Sequence, residues 1–252
     1  MEIRNSYNNR LFPTIPEAPN AANGFAATMK SKHWKVSFNL PGSGFRANDL
    51  RATRFGGNEK FGSVELGLLM GHGSYGTSPD FNPYASGIGG PTYQTYLCSD
   101  NPSDANNPYY GPWVGLSECG FGGNLRWMGL GECYLFTDGF YPGGADNFES
   151  MYNNLVLPIP SSLHLLLGAS TVFYTDDDFG KLWAERMFRR YLVVPRETVQ
   201  TAWGHAEQVT CEGLTNNVTC RVVGWDNCFD DTLSDTNKGT SYNLQVWDTP
   251  IH

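Results

Sequence analysis

Two short apolar runs, each broken off by glycine, constrain this chain most. Val64–Met70 (VELGLLM) stops at Gly71-His72-Gly73, and Leu125–Leu130 (LRWMGL) stops at Gly131-Glu132-Cys133. Short apolar runs bounded by turn residues read as strands buried on both faces, the kind found in parallel sheets. A third run, Ser161–Phe173 (SSLHLLLGASTVF), follows Pro158 and Pro160. Asp176–Asp178 precede a helical pattern over Phe179–Tyr191, with arginines at its end, as the helix dipole favours. Pro195 opens a second helix over Arg196–Val209. His33–Leu40 (HWKVSFNL) alternates as a strand, a short helix is expected near Ala47–Arg54, and Val218–Trp225 and Tyr242–Trp247 read as short strands. Strands interleaved with helices predict an α/β domain with a largely parallel sheet.

Residues 1–30 are rich in Pro, Asn and Ala without hydrophobic periodicity. They predict an extended arm that orders on a neighbouring surface, a route to a homo-oligomer or filament. Residues 31–252 then form a single domain, interrupted by a glycine- and aromatic-rich loop insertion over 75–123 that reads as a lid, a binding loop or a surface insertion. The net charge is -8, from 17 Lys+Arg against 25 Asp+Glu, and no basic cluster occurs, which argues against nucleic-acid binding. No apolar stretch is long enough for a transmembrane helix. The first residues lack the basic and apolar regions of a signal peptide. Few charges with much Gly, Asn and Tyr nevertheless lean toward an extracellular or cell-surface protein, with the cytoplasm left open.

Six cysteines are compatible with disulfides: Cys211 with Cys220 first, then Cys98 with Cys119 to staple the long loop, leaving Cys228 over. A Cys133–Cys228 bond would end any catalytic role for Cys133. No CxxC pair is present, so zinc-ribbon and thioredoxin readings lack their spacing. Asn217-Val218-Thr219 is a glycosylation sequon, meaningful only on a eukaryotic secretory route.

The chemistry rests on the two strand ends. In open parallel sheets functional groups collect at the carboxyl ends of strands, so His72 and Cys133 can meet there although distant in sequence. A free thiol, with a pKa near 8.5, is only a few per cent thiolate at pH 7, and histidine is its natural base. The backbone N–H groups of Gly73 and Cys133 could form an oxyanion hole. Ser74 and Glu132 are candidates for the substrate pocket, and Glu132 could select a basic side chain. Glu132 also stands against activation, because a carboxylate beside a thiol favours its protonated form.

These motifs, LGLLMGHGSYG and LRWMGLGECYLF, resemble the caspase–gingipain–legumain superfamily of cysteine peptidases, in which a hydrophobic block ends in His-Gly and a second ends in Cys. The His-Gly-Ser form is most similar to the gingipain and clostripain branch. Residues from about 60 to 210 further resemble a bacterial family known only as a domain of unknown function, through LRWMGLGEC, LHLLLGAST, FGKLWAERM and TAWGHAEQ. The resemblance implies a caspase-like three-layer α/β/α sandwich, His72 as base, Cys133 as nucleophile, and a peptide or protein substrate. The superfamily usually has a small residue, often Ala, before the nucleophile, where this chain has Glu132.

Competing readings follow from the same residues. Cys133 could be a structural thiol and His72 a loop hydrogen-bonder. Ser74 lacks the Gly-x-Ser-x-Gly elbow of serine hydrolases. His164, inside an apolar run, reads as a satisfied core histidine, and His205 as packing or solvent-facing. No cofactor is expected. A structural calcium ion could be held by Asp176–Asp178 or by Asp226, Asp230, Asp231 and Asp235, although no twelve-residue calcium loop is present. The alternative to a peptidase is a non-catalytic structural or binding module on the same scaffold.

Overall fold

The structure, a computed structural model, describes residues 2–3, 15–41, 46–71, 73–77, 93–98, 113–115, 119–133, 136, 162–189, 196–212, 218–240 and 243–251. In chain order these form β1 (Glu2–Ile3), α1 (Ala18–Ser31), β2 (Leu40–Pro41), α2 (Ala47–Leu50), β3 (Leu66–Met70), β4 (Gly73–Thr77), β5 (Tyr93–Cys98) and β6 (Trp113–Gly115). β7 (Trp127–Gly131), β8 (Leu165–Ala169), α3 (Phe179–Phe188), α4 (Val199–Thr210), β9 (Val218–Trp225) and β10 (Leu244–Ile251) follow. All three apolar runs became neighbouring central strands. The main sheet runs β10-β9-β8-β7-β3-β1-β2, and β4-β5-β6 make a separate antiparallel sheet.

From β2 to β8 every neighbour is parallel, whereas β9 and β10 run antiparallel. The fold is α/β, as expected, but the sheet is mixed. Between β8 and β9 the chain passes through two helices, α3 and α4. One crossover helix returns the chain to begin a parallel strand; a second carries it back again, so β9 must run the other way.

The strands' alternate residues divide the core. Leu68, Met70, Leu165 and Leu167 face α1, α3 and α4. Leu69, Leu130 and Leu166 face Phe61, Val114, Phe121 and Phe136 on the other side, around the four-residue helix α2. Among the described residues, helices of ten residues or more cover only the first face. There Trp183 and Trp203 meet edge to face at 4.9 Å, with Phe179 and Phe173 packed against Trp203. Gly129 of β7 makes room for this group, since a Cβ there would lie 2.5 Å from the Trp203 ring.

Several expectations are corrected. The extended arm is not what residues 18–31 form: they are a 14-residue helix burying Ala18, Ala21, Ala22, Phe25 and Met29 at three- and four-residue spacing. Glu2–Ile3 is a strand inside the sheet. The helix escapes notice because its buried stripe is mostly alanine. Those small residues let α1 touch α3, where a Cβ on Gly180 would sit 2.1 Å from the Ala21 carbonyl oxygen. The strand expected over His33–Leu40 pairs only at Leu40. The insertion contains β5 and β6. Helix α4 starts at Val199, after the expected Arg196, because the Thr198 hydroxyl caps it by accepting the Thr201 N–H at 3.0 Å. Cys119, Cys133, Cys211, Cys220 and Cys228 are free thiols, so neither the Cys211–Cys220 bond, the Cys98–Cys119 staple nor a Cys133–Cys228 bond is formed. No described helix is long and apolar enough to cross a membrane.

Candidate functional site

Strands β3 and β7 are direct parallel neighbours, with Met70 opposite Gly131. Beyond them the Gly71 N–H donates to the Gly131 carbonyl at 3.1 Å, so the chain segments leaving both strands emerge side by side at one edge. Next along one segment comes position 72, and along the other Glu132 and Cys133. His72 itself lies outside the described residues. Gly73 begins β4, in register with Leu97 of β5; the side chain of Ser74 also lies outside the described residues.

Cys133 is half-buried beneath the segment that follows β8. Its Sγ accepts the Phe173 N–H at 3.4 Å and lies 3.6 Å from the Phe173 carbonyl, to which the thiol donates. Burial pushes the thiol pKa up; the Phe173 N–H pulls it down, and the Glu132 and Glu207 carboxylates push it up again. Cys133 therefore rests as the neutral thiol, the state that also makes the S–H donation. Glu132 is fully buried, so it lines no open substrate pocket and cannot select a basic side chain from solvent. Its influence is on the neighbouring sulfur.

Glu207 of α4 is a second acid in this region, also fully buried. Its Oε1 accepts the Tyr174 N–H at 3.3 Å and the Cys211 thiol at 3.6 Å, while Oε2 has no hydrogen-bond partner among the described residues. Burial pushes its carboxyl up to about 8, against the hydrogen bonds from Tyr174 and Cys211. Cys211, four residues on, is pushed up to about 12 by burial and by Glu207. Carboxyl and thiols here are thus neutral together at neutral pH, which is how such groups tolerate a core.

A buried polar network absent from the sequence reading lies at the opposite end of the sheet. His164, just before β8, places Nδ1 2.5 Å from Asp231 Oδ2, which also accepts the Trp127 indole N–H at 3.0 Å. Lys238 approaches Asp231 Oδ1 at 3.0 Å and Asp230 at 2.5 Å. His164, Cys228 and Asp231 bring one ligand atom each within 4.8 Å of one another. The Lys238 ammonium already supplies the positive charge, so the arrangement reads as an ion-pair network that ties β7 to the loop after β9. Asp230 and Asp231 serve Lys238, while Asp235 caps Thr232 and Asp226 accepts from Asn243, so these acids are spread over separate protein contacts. Asp176 accepts the Asp178 N–H just ahead of α3, and Asp177 accepts the Asn20 amide of α1. His164 is a core histidine as expected; His205 pairs with Glu197 at 2.9 Å on the surface of α4. Only the tertiary fold brings Asp231 to His164, and no short-range signal marks it.

A family model described as a domain of unknown function (DUF6345) matches residues 3–243. The chain belongs to that family. The DUF6345 match takes in α1, both strand-end motifs and β9, so the amino-terminal helix is part of the family's domain rather than an appendage. No curated protein and no solved structure matches the chain.

Proposed function

We propose that this DUF6345 domain is a caspase-like cysteine-peptidase domain, a three-layer α/β/α sandwich acting on peptide or protein substrates. One observation carries the reading: the strands that end in His-Gly and in Glu-Cys are adjacent, parallel and in register, Met70 against Gly131. The resemblance to the peptidase superfamily requires that arrangement, and sequence alone leaves it open. In the proposed step the Cys133 sulfur attacks the peptide carbonyl carbon while its proton passes to His72. The carbonyl π electrons move to oxygen, held by the Gly73 and Cys133 backbone N–H groups. Collapse expels the amine, which takes the proton back from His72, and water then hydrolyses the thioester. Because Cys133 rests as a thiol, attack waits on His72, and little uncatalysed reactivity toward solvent electrophiles is expected.

The second reading, a non-catalytic scaffold, draws support from the same thiol, whose two acidic neighbours oppose ionisation. Incubation with peptidyl chloromethyl ketones separates the two. Stoichiometric labelling of Cys133, lost in Cys133→Ala and slowed at least a hundredfold in His72→Ala, is the expected result. Labelling no faster than with free cysteine, and unaffected by His72→Ala, leaves the scaffold reading.

A further inference from the structure

The stretch between β8 and α3 lies against the thiol and engages both sides of the sulfur with one residue. The Phe173 N–H donates to Cys133 Sγ at 3.4 Å, and the thiol donates to the Phe173 carbonyl 3.6 Å away. In the proposed reaction the sulfur lone pair must face a substrate carbonyl and the proton must pass to His72. Neither can happen while Phe173 holds both. The resting thiol is therefore occupied by the chain's own backbone, and a substrate backbone, with an N–H and a carbonyl of its own, offers the same pair of groups.

The way this stretch is held suits a part that moves. Residues 172–175 belong to neither helix nor sheet. At one end the Thr171 hydroxyl accepts the Thr219 N–H of β9 at 2.9 Å, and at the other Asp176 leads into α3 by accepting the Asp178 N–H. In the middle the Phe173 ring is pinned, edge to face with Phe179 at 5.0 Å and tilted against Trp203 at 5.6 Å. One further bond holds the backbone down: the Tyr174 N–H donates to Glu207 Oε1 at 3.3 Å. Two consecutive N–H groups thus go to side chains, a sulfur and a buried carboxyl, rather than to a neighbouring strand. Such contacts can be released one at a time without taking a sheet apart, which is the property of segments that open locally.

We propose that residues 171–175 are a strap that closes the Cys133 site, and that Glu207 is a positioning residue that latches it through Tyr174. The inference rests on the reading of Cys133 as the nucleophile, but its test uses neither His72 nor a peptide, so the peptidase reading can fail with the strap still standing. Iodoacetamide labelling of Cys133 at pH 7 is read beside hydrogen exchange of the full chain. Glu207→Gln keeps the acceptor for Tyr174 and Glu207→Ala removes it; neither side chain carries a charge, so any electrostatic effect on the thiol is common to both. In Glu207→Ala, labelling and exchange at the Phe173 and Tyr174 amides become at least tenfold faster. In Glu207→Gln both stay within about twofold of the parent, and exchange at Leu166 and Leu167 of β8 is unchanged in either variant. Equal labelling of the two variants overturns the proposal, as does an equal gain at Leu166 and Leu167, since the whole core has then loosened. Where Glu207→Ala does not fold, the parent decides: labelling no faster than the opening of the Phe173 amide supports the strap, and labelling faster than that opening overturns it.

Discussion

Replacing Glu207 by glutamine removes one titration from the core, and the cost of that titration follows from its burial. The carboxyl stands at about 8 in the folded chain against an ordinary value of 4.5. The folded value is raised, so below pH 4.5 both folded and unfolded chains hold the proton and there is no penalty. Between 4.5 and 8 the unfolded chain releases the proton while the folded chain keeps it, and stability falls as pH rises. Each unit is worth about 1.4 kcal/mol, so the full loss approaches roughly 5 kcal/mol and levels off above pH 8. Glutamine keeps the Oε1 acceptor for Tyr174 and Cys211 but has no proton to lose. Urea unfolding of both proteins from pH 5 to 9 measures the difference, in which all other titrations cancel. Glu207→Gln gains steadily on the parent, reaching a midpoint roughly 2 M higher by pH 8 for a slope near 2.5 kcal/mol/M. A gap between the two that does not change with pH refutes the reasoning.

Three further outcomes are expected. Glu132→Gln removes a charge that holds the Cys133 thiol protonated, so alkylation of Cys133 by iodoacetamide at pH 8, followed by peptide mass mapping, becomes several-fold faster; an unchanged rate denies the electrostatic coupling. Asp231→Asn breaks the pairing with His164 and Lys238 inside the core and costs about 3–5 kcal/mol in thermal unfolding, and a loss under 1 kcal/mol contradicts the network. Gly180→Ala drives a methyl into the Ala21 carbonyl and costs about 1–3 kcal/mol by denaturant titration, whereas a neutral substitution means that α1 and α3 are not in contact.

The strands were legible because each packs in a fully apolar environment and ends at glycine: LGLLM and WMGLG are buried along almost their whole length. Helix α3 is legible from charge placement, acids before its start and arginines at its end, and the structure buries Trp183 and Met187 of it. Helix α1 did not, because alanine buried against a neighbouring helix leaves the same composition as alanine in a polar arm; the difference lies in Gly180, far away in sequence. Similarly, two parallel-type runs made β3 and β7 candidates for neighbours without fixing that they pair, and the antiparallel turn of β9 depends on counting two helices between strands. Two of the buried carboxyls were the least legible. Glu207 reads as an ordinary polar helix residue until α4 is laid on the sheet, and Asp231 reads as one acid among several in a loop. Burial, not residue type, decides what these groups do.

The seam between α1 and α3 has a consequence for synthesis on the ribosome. The first helix leaves the exit tunnel early, yet the surface it was shaped for, around Gly180, is made only after residues 32–178 have been translated. At 5–20 residues per second that interval is roughly 7–30 seconds, during which Phe25 and Met29 have no helix to lie against. A nascent chain of this kind invites a holding chaperone at its amino end, and fragments stopped before α3 should aggregate through that unclaimed stripe.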